Sequence, residues 1–145
     1  MRKYYVALAL FVAALGLATA VFAQASAETA VLDQWKTSVQ HSKFSQDYNS
    51  MKEVTSHLQH VVNCLQGQSG PGFEGGAGNP CQGQGAGMIT DAKKVNKPNY
   101  QAAVRWFETA DATAKAGLRT KDPDAAKALG QATQIILEAV GGQLR

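Results

Sequence analysis

The segment from Gly67 to Gly87 holds nine of the chain's 14 glycines, together with Pro71 and Pro80. Glycine loses the most backbone entropy on ordering, and proline lacks the N–H that helices and sheets use, so neither a regular helix nor a central strand is predicted there. The chain's only two cysteines bracket most of this segment, Cys64 just before it and Cys81 inside it. Any fold for this chain must therefore accommodate a long irregular connection, ordered by something other than its own backbone.

Redox compartment decides what the cysteines do. The N-terminus has a basic start (Arg2, Lys3), then an uncharged run from Val6 to Ala23 that ends in Val21-Phe22-Ala23. That pattern predicts a secretory signal peptide over residues 1–23, cleaved before Gln24, with 24–145 as a single domain in the periplasm or secreted. The run is long enough to span a bilayer if uncleaved, but its small exit residues favour cleavage, leaving no stable membrane span. In an exported domain two cysteines pair, and a loop of this length gains about 3 kcal/mol from the bridge in the chain-entropy picture. A reduced pair would instead offer two thiolates beside His60, suited to zinc or Cu(I). The two readings exclude one another.

Signal removal also changes the charge. The full chain carries +3, but Arg2 and Lys3 lie in the signal, so 12 basic against 11 acidic residues leave +1. Lys93, Lys94 and Lys97 cluster only as a small solvated patch. Nucleic-acid binding, which needs a broad basic face, is not expected.

The stretch before the loop carries the candidate chemistry. Ser50 and Glu53 read as a capping box opening a helix. At 100° per residue, Met51, Val54, Leu58, Val61, Val62 and Leu65 form an apolar stripe. Glu53, His57, His60 and Cys64 line up beside it at spacings of four, three and four. One ion cannot take all four: Glu53 and His60 are separated by roughly 10 Å along the axis, whereas ligand atoms sit about 2 Å from a metal. The candidate ligand pairs are thus His57 with His60, Glu53 with His57, or His60 with Cys64, completed from another segment or by water; His41 and Asp91 are further candidates that the pattern does not place.

The remaining pattern is helical. A first helix is predicted over 28–41, ending near 41–43, with Val31, Leu32, Trp35, Val39 and Ser42 on one side. Residues 88–95 form a short helix, and Tyr100, Ala103, Val104, Phe107, Ala110, Ala114 and Leu118 stripe the next. Asp122-Pro123 opens a last helix with Leu129, Thr133, Ile136 and Val140 inward, stopped by Gly141-Gly142. Tyr100, Trp106 and Phe107 are core aromatics by their spacing rather than a cofactor box. With no period-two alternation, the expected fold is all-α: an antiparallel four-helix bundle with a long glycine-rich, disulfide-closed loop between helices two and three.

Several functions are excluded by local context. Gly70, Gly72 and Gly75 match G-x-G-x-x-G, but no strand precedes them and no helix opens after them, so dinucleotide binding is rejected. No Ser/His/Asp or free-thiol arrangement suggests an enzyme. Three binding classes remain. The first is a non-catalytic interaction protein presenting the stapled loop, with Phe73, Asn79 and Pro80 as its surface, to an unknown protein or small ligand. The second is a zinc, copper or nickel binder using His57, His60 and Glu53. The third is a b-type haem bundle pairing a histidine with Met51 or Met88; covalent c-type haem is excluded for want of C-x-x-C-H.

The run His57-Leu-Gln-His60-Val-Val-Asn63-Cys64, followed by Asn79-Pro80-Cys81 and Gly83-Gln-Gly85, resembles small exported bacterial helical proteins of unknown function with an HxxHxxNC…NPC signature. The resemblance covers about 30 residues. It implies only that helix and loop act together.

Overall fold

The computed structural model describes residues 26–144. The expected signal peptide, residues 1–23, lies outside them. Helix α1 spans 26–47, α2 Met51–Gln66, α3 Met88–Ala92, α4 Pro98–Arg119 and α5 Pro123–Gly141, and no strand occurs among the described residues. None of these helices is long and apolar enough to cross a membrane.

Helix starts follow local chemistry. The Ser50 hydroxyl caps α2 by accepting from the Glu53 N–H at 3.3 Å, and Asp122 caps α5 by accepting from the Asp124 N–H at 3.0 Å. Pro98 and Pro123 occupy first-turn positions where their missing N–H costs nothing. Helix α1 runs several residues beyond the predicted end at 41–43. Phe44, just past that predicted end, faces the α2 histidines from within the helix, while Ser42 and Ser45 continue the buried face.

The core joins Val31 and Val39 of α1, Val54, Leu58, Val61, Val62 and Leu65 of α2, and Tyr100, Ala103, Phe107, Ala110 and Ala114 of α4. It continues through Ala126, Leu137 and Val140 of α5. Helix α5 buries Thr133 and Val140 of its predicted stripe but is turned partly away from the other two. Gly130, Leu137 and Gly141 are buried, whereas Leu129 and Ile136 are half-buried. Small residues decide this: a Cβ on Gly141 would lie 2.1 Å from the Trp35 ring, whose Nε1 donates to the Leu137 carbonyl at 2.7 Å. Of the aromatics in α4, Tyr100 and Phe107 are buried but Trp106 remains exposed.

Residues 67–87 carry no α-helix, only a 3-10 turn at Gly75–Ala77 and a series of hydrogen-bonded turns. The two cysteines are bonded, with Cα atoms 5.3 Å apart. The ends of the segment press together backbone to backbone. A Cβ on Gly67 would sit 2.0 Å from the Ala86 carbonyl oxygen, and one on Gly87 2.4 Å from that of Gln66. Gly87 also has φ +113°, a region L side chains avoid. Buried Asp91 on α3 secures the same end, accepting from Ala86 N–H at 2.8 Å and Gln34 Nε2 at 2.9 Å and pairing with Lys94 at 2.8 Å.

These positions separate conformational strain from steric contact. Gly83→Ala, at φ +79° with open space around the Cβ, is expected to cost about 1 kcal/mol in urea unfolding. Gly87→Ala, which adds a backbone collision, is expected to cost at least about 2–3 kcal/mol by the same measurement. Equal costs would mean that the tight junction contributes nothing.

Candidate metal centre

Three histidines, the only ones in the chain, converge where α1 meets α2. His57 and His60 lie one turn apart on α2, and His41 faces them from α1. The His41 Nδ1 stands 3.0 Å from the His57 Nδ1 and 3.2 Å from the His60 Nδ1, and one nitrogen from each ring falls within a 4.8 Å group. Ligand nitrogens bound at 2.0–2.1 Å in a tetrahedral sphere are separated by about 3.3 Å. The two contacts of His41 are thus close to the spacing of donors around one ion.

Proton counting reinforces the geometry. The His60 Nε2 is 2.7 Å from the Ala77 carbonyl oxygen, which can only accept, so Nε2 carries a hydrogen, and a ring with that hydrogen alone has its lone pair on Nδ1. His41 Nδ1 has either one hydrogen or one lone pair to meet two neighbours. A hydrogen there must be shared between two acceptors; a lone pair there faces the His60 lone pair. An ion between the rings would meet all three lone pairs.

Electrostatics disfavour a proton on two of the three rings. Burial, followed by repulsion from His60 and His57, pushes the His41 pKa down to about 4. His57 is also lowered, chiefly by burial and then by His60, with Glu53 and Asp47 partly opposing. Aromatic rings close the flanks. Tyr48 stacks on His57 at 5.1 Å, and Phe44 meets His41 edge-on at 5.6 Å.

The glycine-rich segment serves as the outer support. The buried Asn63 side chain donates to the Glu74 carbonyl at 2.9 Å and the Gly78 carbonyl at 2.7 Å, and accepts from the Glu74 N–H at 2.9 Å. Those bonds hold both sides of the Gly75–Ala77 turn, whose last carbonyl orients His60. One residue on, Cys64 ties the same segment down through Cys81. Gln59 adds a bond to the Gly72 carbonyl at 2.9 Å. An outer partner of this kind sets the tautomer and direction of a ligating imidazole.

The other sequence candidates lie elsewhere. Glu53 is not in the histidine group; its carboxylate accepts from the Ser50 hydroxyl. Asp91 belongs to the junction at Ala86 and Lys94. Cys64 and Cys81 are consumed by the disulfide, which removes the thiolate alternative. Within the loop, Phe73, Asn79 and Pro80 are half-buried, and Asn79 spends its Oδ1 on the Cys81 N–H at 3.1 Å. Asn63 and the Ala77 carbonyl have no ligand signature of their own; the adjacency of Asn63 to Cys64 is the only hint the sequence holds. Comparisons with protein-family models, curated proteins and solved structures returned no match.

The depressed imidazoles fix a pH dependence. In the unfolded chain His41 takes up its proton near pH 6.5, in the folded chain only near pH 4. Stability from this residue is therefore fully present above pH 6.5 and is lost as pH falls from 6.5 toward 4. Imidazole NMR titration of the metal-free protein is expected to show His41 still neutral at pH 5.5; an ordinary midpoint near 6.5 would contradict the burial described.

Proposed function

We propose that this is an exported, non-catalytic metal-binding protein that holds one zinc, copper or nickel ion on the Nδ1 atoms of His41, His57 and His60. The observation that carries the reading is the convergence of three imidazoles within 4.8 Å, with His41 close to coordination spacing from both others and the His60 ring oriented from behind by a backbone carbonyl. Imidazole suits these three metals, and the bonded cysteines leave no soft thiolate to compete. The disulfide agrees with a periplasmic or secreted location. The short connections at 48–50 and 120–122 favour an antiparallel bundle of the four long helices.

The metal reading is preferred to an interaction surface because the Glu74, Ala77 and Gly78 carbonyls of the loop point inward, onto Asn63 and His60. It is preferred to haem, which would pair a histidine with Met51 or Met88, because Met88 is fully buried in the hydrophobic core and Met51 packs against it, while the histidine nitrogens contact one another.

Calorimetric titration of the metal-free protein at pH 7 is expected to show one site for at least one of these ions. His41→Ala should abolish it. Asn63→Ala, which frees the loop from α2, should weaken it by about 10-fold or more, the usual size of an outer-partner effect. Circular dichroism on the same samples separates lost ligation from lost folding. No binding of any of the three ions, or undiminished binding by folded His41→Ala, would end this reading.

A further inference from the structure

The histidine group leaves its ion one donor short. All three histidines, both cysteines and all 11 acidic residues of the chain lie within the described residues, and only His41, His57 and His60 form a group of metal-binding spacing. Both sulfurs are bonded to each other. Glu53 is one turn from His57 but two turns from His60, roughly 10 Å along the helix. Its carboxylate accepts from the Ser50 hydroxyl and does not belong to the histidine group. Asp91 is engaged with Gln34, Ala86 and Lys94. A tetrahedral ion on three imidazoles therefore has a fourth position for which the chain offers no histidine, cysteine or carboxylate.

Charge indicates what belongs there. Neutral imidazoles bring no negative charge, so a dication on this triad keeps its full +2, and the nearest compensating carboxylates are those of Glu53 and Asp47 acting on His57 from a distance. None of the three histidines is fully buried, and Tyr48 beside His57 is 38% exposed. A small ligand approaching from solvent would meet a concentrated positive charge flanked by aromatic rings.

We propose that the triad is an open metal platform whose fourth position takes a small monodentate anion from solution. The inference rests on the metal-binding reading and adds to it an exchangeable anion site. Cobalt(II) reports both steps separately, because its visible bands appear on binding to the protein and move when the coordination sphere changes.

The experiment loads the full mature protein with cobalt(II) and titrates it with sodium azide, alongside the Glu53→Gln variant. The expected result is a saturable shift of the cobalt bands by one azide per metal, with similar affinity in both proteins. Cobalt bands that ignore azide in both proteins would overturn the open position. A shift seen only in Glu53→Gln would overturn it too, since Glu53 would then be the resident fourth ligand. Absence of any cobalt bands would overturn this inference alone, since the zinc, copper and nickel titrations decide the metal reading itself.

Discussion

Asn63 is the residue through which helix and loop become one object. Its amide spans the Gly75–Ala77 turn with two donated bonds and one accepted bond, all between 2.7 and 2.9 Å, from a fully buried position. Without such a partner, turn carbonyls and N–H groups lying against a helix would be left to water or to nothing, at about 1–3 kcal/mol for each buried group unmet. The adjoining disulfide limits how far the segment can stray, but it is the amide that sets its register. Through that register the Ala77 carbonyl meets His60.

The hydrophobic core has a different task. Leu58, Val61 and Leu65 are buried against α4 and α5, which fixes the rotation of α2. With that rotation set, His57 and His60 must emerge on the flank toward α1, where His41 lies. Packing thus supplies the placement of the imidazoles, and the glycine-rich segment supplies the orientation of one of them. Asp91 and Gln34 complete the arrangement by joining α1 to the far end of the segment.

Much of this was legible in the sequence, for reasons that differ by element. The stripe of α2 could be read because five branched or long aliphatics recur at helical spacing and all of them are buried. The disulfide could be read from compartment logic alone. The turn of α5 could not, because it depends on the gaps that Gly130 and Gly141 leave for Ser45 and Trp35 across the core. The end of α1 was obscured in a similar way, since Phe44 departs from the apolar phase to face His57 rather than to leave the helix. For the site, His57 and His60 were visible as a pair, but the third ring required the α1–α2 interface, and Glu53 drew attention by spacing that its distance from His60 defeats.

An ion held by His41 on one helix and His57 and His60 on the next is also a crosslink between neighbouring segments. It would close the short hairpin at 48–50 much as Cys64–Cys81 closes the following stretch, so two successive clasps would share α2. At a free metal concentration 100 times the dissociation constant, such a clasp adds about 2.7 kcal/mol to the folded state. Metal supply in the surroundings would then set how firmly the N-terminal helix is held to the rest of the molecule.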